Sequence, residues 1–474
     1  MTDISQNNQD GLEWEFGLFH TLPCWTREPS IPAIENVSRQ CLKIPSESPC
    51  HVSFFAGGTY NKLYRVDYTD GSVLMRVTLP VHPYHKTRGE ATTLIWLRYH
   101  TSVPVPKVIA FDDSRNNEIG FEWILMELMP GTPAYKAWRT ISMDQKEVMT
   151  KRIAEIQAEL YYHGKLHLAF KEIGTLHPST TKEAAKMPIP VAPDTLVSME
   201  RFQAYRLKYD VPRGPFRSSY TWLESYINLL ILEQLEAIEK LGDDEDKDDP
   251  EEILAAARGL LSLLPQVFPE TEETNLTPTV LWHHDLNLRN ILVDEKGDVT
   301  AIVDWECVSA MPIWMTTNIP RFLQGQSRLE EPIRDSYGDE TPSDLEWPRQ
   351  DPDSLFDSLQ LDNEGKTPLY WEHMMEYEVT KLCEVYKTRL TALWPGWQLH
   401  NDPLKLDFYE ALMQCDGICK KMVDKWVKQI RGGNVIRWKD MFVDRDTGLY
   451  RVKFLEIPDD DTNTDSDVVS IAAR

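Results

Sequence analysis

Leu281 to Pro312 reads LWHHDLNLRNILVDEKGDVTAIVDWECVSAMP, with its polar residues at the ends of short apolar runs. Asp285 opens a polar loop that closes on Asn290. Ile291, Leu292 and Val293 have the composition of a short buried strand. Glu295 to Asp298 is a turn in which Gly297 supplies freedom in φ. Val299 to Val303 is the returning strand, and Asp304 stands at its end beside Trp305. A hairpin of this kind brings Asp285, Asn290 and Asp304 near one point.

Two carboxylates and an amide so placed suit phosphoryl transfer. One carboxylate orients an attacking hydroxyl and accepts its proton, while the amide and the second carboxylate hold Mg²⁺ on nucleotide phosphates. Magnesium takes few oxygen ligands from protein and the rest from phosphate and water. The alternative, a hairpin with two ordinary solvated aspartates, fits poorly with a motif this long and ordered. The pattern from His283 through Asp285, Asn290-Ile-Leu-Val-Asp and Ile302-Val-Asp-Trp-Glu resembles the aminoglycoside phosphotransferase and choline kinase branch, especially its large fungal set.

That resemblance, which runs from about Phe54 to Gly325, implies a protein-kinase-like α+β fold in two lobes. A small N-lobe would carry an antiparallel sheet and one helix. A larger, mostly helical C-lobe would carry the catalytic hairpin, with ATP in the cleft between them. The resemblance makes Asp285 the catalytic base and Asn290 and Asp304 the Mg²⁺ ligands. It gives His283 a supporting role through hydrogen bonding, because Asp285 already fills the role of base. Trp305 and Glu306 follow the metal aspartate, and Glu306 either faces the substrate or braces the loop.

Phe54 to Val77 is the second informative stretch. Ala56-Gly57-Gly58-Thr59-Tyr60-Asn61 is a small-residue loop between strand patterns, and Asp70-Gly71 is a hairpin turn. A glycine-bearing loop lets backbone N–H groups approach phosphates. In a kinase-like fold Gly57, Gly58 and Thr59 would lie over the nucleotide, although the spacing departs from Gly-x-Gly-x-x-Gly. Arg76, on the return strand, has a fork suited to phosphate oxygens. Glu90 shares a helix face with Leu94 and Leu97. A carboxylate on an apolar face needs a partner, and Arg76 is the expected one. Phe121 to Glu127 reads as a strand running into Leu128-Met129-Pro130-Gly131, which resembles the hinge between lobes. By resemblance alone, backbone groups near Glu127 and Met129 would bind adenine.

The rest of the chain bounds the answer. Its 474 residues are 42% hydrophobic and 26% charged, a soluble globular composition. The formal net charge of −25 disfavours nucleic acid and anionic membranes, and tolerates a cationic substrate. Seven scattered cysteines form no framework and fit a reducing compartment. Cys415 and Cys419 are spaced to share one helix face. The start MTDISQNNQD has no secretory h-region, and no apolar run reaches the length of a membrane span. The expected location is cytoplasmic. A mitochondrial one has little support, because the start lacks Arg-rich amphipathic character.

The expected organisation is an extension at 1–48 with a helix near Ile34 to Leu42, an N-lobe at 49–130, and a C-lobe at 131–455. Helices are expected at Asp144 to Leu166, Ser218 to Leu241, Ile253 to Leu264, Tyr370 to Leu393 and Asp407 to Ile430. A proline-punctuated loop at Thr180 to Pro215 is placed to wall the substrate. Gly242 to Glu252 reads as an acidic linker, Glu330 to Pro368 as irregular, Trp438 to Leu455 as a terminal element, and 456–474 as a disordered acidic tail.

The leading expectation is an ATP- and Mg²⁺-dependent kinase acting on the hydroxyl of a small molecule. A non-catalytic nucleotide-binding module serving interaction is the alternative. The three polar catalytic positions favour the enzyme, whereas the glycine loop and Arg76 leave the alternative open. No Ala-Pro-Glu element follows Asp304, which disfavours a protein acceptor.

Overall fold

The computed structural model describes residues 9–16, 21–165, 170–178, 191–198, 204–241, 248–269, 279–340 and 363–442. The chain divides into two compact units, Met1–Leu229 with Glu270–Asn401, and Leu230–Pro269 with Asp402–Arg474.

The first unit begins with an antiparallel hairpin, β1 (Leu12–Phe16) and β2 (Thr21–Trp25), which precedes the expected helix. That helix, α1 (Ile31–Leu42), opens on Ser30, whose hydroxyl accepts from the Ala33 N–H at 3.4 Å. A side-chain oxygen at this position satisfies an otherwise orphaned N–H. Five antiparallel strands follow: β3 (Cys50–Gly57), β4 (Asn61–Tyr68), β5 (Gly71–Thr78), β6 (Val108–Asp112) and β7 (Glu122–Glu127). Their order across the sheet is β3-β4-β5-β7-β6. Tyr68 pairs with Gly71, so Thr69 and Asp70 form the turn and Gly71 opens the return strand. Val73, Met75 and Val77 on alternate positions of β5 are buried with Ile34 and Val37 of α1 on one face of the sheet. Arg76, one residue out of step, points to the other face.

That other face receives α2 (His85–His100). The apolar pattern places the start at Glu90, but the helix begins five residues earlier. His85 to Gly89 carries no apolar stripe, yet Lys86, Thr87 and Gly89 are buried. Polar contacts cover this first turn: Lys86 pairs with Glu306 and Arg88 with Asp113, while Gly89 lies against Thr175. The helix ends before Val103-Pro104, where the following proline favours extended backbone.

The mostly helical part of this unit holds α3 (Ala134–Ala137) and α4 (Met143–Lys165). It also holds the beginning of α5 (Ser219–Lys240). Helix α7 (Pro368–Leu393) packs on α4, and buried Lys146 of α4 lies 2.7 Å from Glu378 of α7. One small sheet has the order β10 (Val191–Pro193), β9 (Gly174–Pro178), β14 (Ser309–Pro312), β11 (Thr279–Trp282). A second has the order β13 (Val299–Ile302), β12 (Ile291–Val293), β8 (Thr132–Pro133), so the expected hairpin is present. Gly131, at φ +110°, leads the chain into β8; a Cβ there would come within 2.4 Å of Thr300 Oγ1. The sheet and helix followed by this helical part make up the α+β, kinase-like arrangement.

The second unit contains α6 (Asp248–Val267), α8 (Pro403–Met413) and α9 (Lys420–Arg431). Two expectations change here. Asp248 to Glu252 is the first turn of α6 and not a linker, and its carboxylates favour the positive end of the helix dipole. The single helix expected from Asp407 to Ile430 is two, broken at Gln414 to Cys419, where Asp416-Gly417 marks a turn. Cys415 and Cys419 therefore share no helix face; Cys415 is buried, and Cys419 precedes α9. All seven cysteines are free thiols.

The acidic run at 242–247, the loop segments 179–190 and 199–203, residues 341–362, and 443–474 lie outside the described residues. The expected substrate wall, the irregular stretch and the terminal element fall partly there, and the expected tail wholly. Among the described residues no helix is long and apolar enough to cross a membrane.

Glu122 yields a test of this packing. It opens β7, is 2% exposed and accepts from the Tyr84 N–H at 2.7 Å. Burial pushes its pKa from 4.5 up to about 8, partly offset by Thr87 and Lys86. Between those values the native chain keeps a proton that the unfolded chain releases, so stability falls as pH rises from about 4.5 to about 8. We expect urea midpoints to give Glu122→Gln a shallower decline than wild type, by roughly 2–5 kcal/mol across that window. Identical slopes would mean that Glu122 is not held protonated.

Candidate active site

The loop after β11 is built around its backbone. Asn287 N–H donates to the Asp285 carbonyl at 2.9 Å, and Asn290 N–H to the Asn287 carbonyl at 3.1 Å. Asn290 Nδ2 donates to the same Asp285 carbonyl at 2.8 Å and to Asp285 Oδ2 at 3.2 Å. The Asn290 carbonyl accepts from Val303 N–H at 2.9 Å, which ties the loop to the strand that delivers Asp304. Asp285 and Asn290 are thus held together, with Asp304 following the residue bonded to Asn290.

His283 is 5% exposed, and its Nε2 lies 3.1 Å from the Val303 carbonyl. Burial pushes its pKa down to about 4, partly opposed by that carbonyl. A neutral ring facing a carbonyl must carry its proton on Nε2, so His283 is a donor to the loop and is poorly placed as a base. Its ring packs edge-on against Trp305 at 4.9 Å. Trp305 is 1% exposed and donates from Nε1 to the Ile302 carbonyl at 2.9 Å.

Asp304 has φ +62°, the left-handed region. Its carboxylate accepts from Arg76 Nη2 at 2.9 Å. The same nitrogen lies 2.6 Å from Glu306 Oε2, while Arg76 Nη1 lies 3.2 Å from Glu90 Oε1. Lys86 Nζ lies 2.5 Å from Glu306 Oε2 and 3.0 Å from Asn61 Oδ1. Asn61 Nδ2 donates to Glu306 at 2.8 Å. Three carboxylates and two cations therefore share one pocket, and Lys86 is 1% exposed.

Their proton affinities follow from this crowding. Burial alone would disfavour the Arg76 cation, but Glu90, Glu306 and Asp304 outweigh it and hold its pKa above the ordinary value. Burial pushes Glu90 up to about 7, against the pull of Arg76 and Lys86. Burial also raises Asp304, with Glu306 beside it, against Arg76. Glu306 is half-buried and desolvation raises it, yet Lys86, Arg76 and the Asn61 amide hold it well below the usual carboxylate range.

The donor chemistry fits a hard cation. Asn290 commits Nδ2 to Asp285, so its oxygen remains for coordination, and Asp304 supplies a carboxylate. Among the described residues no group of three or more His, Cys, Asp or Glu is arranged to hold a metal unaided. An amide and a carboxylate match an ion that takes its other ligands from phosphate and water.

The glycine hairpin joins the same network through its base. Gly58 N–H donates to the Asn61 carbonyl at 2.9 Å. Neither Gly57 nor Gly58 has a positive φ, and a Cβ on Gly58 would meet only the Asn61 carbonyl, at 4.0 Å. Space above the loop, rather than backbone conformation, is what glycine provides there. Thr59 lies in the same turn. At the far end of β7, Glu127 N–H donates to the Lys107 carbonyl at 2.9 Å, and its carboxylate pairs with Arg98 at 3.3 Å. Met129 is half-buried in the turn that follows.

Three residues here escaped the sequence reading. Lys86 stands one helical turn before Glu90, a spacing that shares a face; starting the helix at Glu90 concealed it. Asn61 closes the glycine loop but has no signature beyond position. Arg321, whose Nη1 lies 2.8 Å from Asp285 Oδ1, is distant in sequence and nothing local marks it.

A family model described as the phosphotransferase enzyme family matches residues 51–315. A subtelomeric hrmA-associated cluster protein of Aspergillus fumigatus is 24% identical over 316 residues, 58% of this chain and 61% of that protein. The altered inheritance of mitochondria protein 9 of Scheffersomyces stipitis is 31% identical over 93 residues, 19% of this chain and 15% of its own. The chain thus spans about three-fifths of the first of these relatives and far less of the second. A putative aminoglycoside phosphotransferase from Ralstonia eutropha aligns with TM-score 0.41 and 15% identity, over 85% of this chain and 91% of that one. An aminoglycoside phosphotransferase in complex with ADP and hygromycin B aligns with TM-score 0.41 and 11% identity, over 85% and 100%.

The Lys86–Glu306 pair can be tested directly. Leaving one partner of a buried pair wholly unpaired costs about 3–5 kcal/mol, and without Lys86 the Glu306 carboxylate would still keep Arg76 and Asn61. We expect Lys86→Met to lower the free energy of unfolding by a part of that figure, and the double variant with Glu306→Gln to recover some of the loss. A Lys86→Met protein as stable as wild type would show that Glu306 is satisfied without Lys86.

Proposed function

The chain belongs to the phosphotransferase enzyme family, and from that premise we propose that it transfers the γ-phosphoryl group of ATP, with Mg²⁺, to a hydroxyl of a small molecule. One observation supports this reading above the others. The Asp285–Asn290 loop is bonded to the strand that presents Asp304 to Arg76.

In this reading Asp285 accepts a hydrogen bond from the acceptor hydroxyl, orients it, and takes its proton as the new P–O bond forms. Asn290 and Asp304 are the residues that would hold Mg²⁺, which supplies charge neutralisation at the phosphates when bound. Arg76 exchanges Asp304 for phosphate oxygens and stays aligned through Glu90 and Glu306. Lys86 and Asn61 keep Glu306 in place. The turn Gly57-Gly58-Thr59 carries little side chain and leaves room for phosphates, and the segment from Glu127 to Met129 borders the adenine. His283 and Trp305 fix the loop from behind. Such a site works by placement and fixed charge, because phosphoryl transfer needs little covalent help from protein.

Replacing Asp285 by Asn keeps an acceptor for Asn290 but removes the base. We expect Asp285→Asn to fold with a near-normal melting temperature and to lose about 10²–10⁴-fold in kcat. The assay follows transfer of γ-labelled ATP phosphate into a fractionated metabolite extract, with MgADP binding measured in parallel. Near-normal turnover in the variant would remove Asp285 from the mechanism. Nucleotide binding without transfer by wild type would favour the non-catalytic module.

A further inference from the structure

Asp285 has two different neighbours on its two oxygens. Oδ2 accepts from Asn290 Nδ2 at 3.2 Å. Oδ1 lies 2.8 Å from Arg321 Nη1. Arg321 opens the short turn Arg321–Leu323, and this mount is firm. Phe322 and Leu323 are 4% and 3% exposed, and Phe322 N–H donates to the Leu286 carbonyl at 3.2 Å, fastening the turn to the catalytic loop. The Arg321 side chain is nevertheless 53% exposed, and that of Asp285 32%. A cation on a fixed base therefore faces solvent beside the atom that takes the hydroxyl proton.

We propose that Arg321 selects the acceptor, and that the acceptor is an anionic hydroxy compound bearing a carboxylate or phosphate close to its reactive hydroxyl. The inference rests on the phosphotransferase reading of Asp285. An ion pair this exposed is weak, so an incoming carboxylate or phosphate can replace Asp285 as the partner of the guanidinium fork. That exchange frees Oδ1 as the hydroxyl arrives. Oδ1 then takes the hydroxyl proton, the hydroxyl oxygen bonds to the γ-phosphorus, and the bond from that phosphorus to the bridging oxygen breaks. ADP leaves with the electron pair. An acceptor bearing an ammonium group in the same place does neither job. It is repelled by Arg321 and leaves Oδ1 engaged. The other cations of the site are not available for this role. Arg76 and Lys86 are 7% and 1% exposed, and their carboxylate partners are already in contact.

The test compares two acceptor panels, hydroxy acids with sugar phosphates and amino alcohols with aminoglycosides. Calorimetry measures binding to the full chain with MgADP, and γ-labelled ATP reports transfer. Wild type should bind and phosphorylate the anionic panel preferentially. Arg321→Ala should lose about 10- to 100-fold in kcat/KM with anionic acceptors, mainly through KM, and Arg321→Lys should recover part of it. Arg321→Glu should shift the preference toward amino alcohols, and MgADP affinity reports that each variant is folded. Equal losses in kcat for every acceptor would make Arg321 a clamp on the transferring phosphoryl group and overturn the proposal. So would wild-type binding with no charge preference, or one for amino alcohols. Failure to bind MgADP would defeat the phosphotransferase reading as well, whereas ADP binding without charge preference defeats only this inference.

Discussion

The Arg76 guanidinium is the constraint on which the site depends. It is buried, and a buried cation is costly by several kcal/mol unless its partners are complete. Those partners come from separate parts of the chain: Glu90 from helix α2, and Asp304 and Glu306 from the segment after β13. Through Glu306 the network reaches Lys86 at the start of α2 and Asn61 at the base of the glycine hairpin. No one of these segments can move far without leaving an unpaired charge. The same closure explains how Asp304 persists at φ +62°, a conformation that a non-glycine residue keeps only when its surroundings over-determine it.

The sequence showed the hairpin of β12 and β13 because its polar residues lie at the ends of short apolar strands. Asn290 stands directly before Ile291-Leu292-Val293, and Asp304 directly after Ala301-Ile302-Val303. Glu90 was legible because it is a charge where the apolar pattern demands burial, and Arg76 was read as its partner. Lys86 shows where that reasoning stops. The first turn of α2 is covered by polar contacts, so it has no hydrophobic period to read, and the apolar pattern begins at Glu90. The break between α8 and α9 was hidden in the opposite way. Apolar residues continue on both sides of Asp416-Gly417, and the turn signal was outweighed by periodicity. Arg321 was not legible at all, because its relation to Asp285 is made by tertiary packing.

Net charge and the charge beside one carboxylate are different quantities. The chain carries −25 overall, which taken globally suits a cation. Screening confines the influence of solvated carboxylates to about 10 Å, and part of this acidity lies at helix starts such as Asp248 to Glu251. Beside Asp285 the group at contact distance is the Arg321 guanidinium. Local geometry, with desolvated or half-desolvated partners at contact distance, outweighs the distant sum.

The two arginines of the site also differ in kind, and the difference is one of exposure. Arg76 is sealed among three carboxylates. Removing any of them would expose a charge to a medium that cannot solvate it, so its pairings set geometry. Arg321 pairs with one carboxylate among the described residues and is half exposed, where such a pair is worth about 0.2–1 kcal/mol. Its pairing is therefore exchangeable at little expense. A phosphotransferase needs both properties. Groups that align phosphates must already be in place when the nucleotide arrives, whereas a base kept engaged until the acceptor is bound is less available to activate water. On the proposed function, burial at Arg76 and exposure at Arg321 would divide those requirements between two residues of the same chemistry.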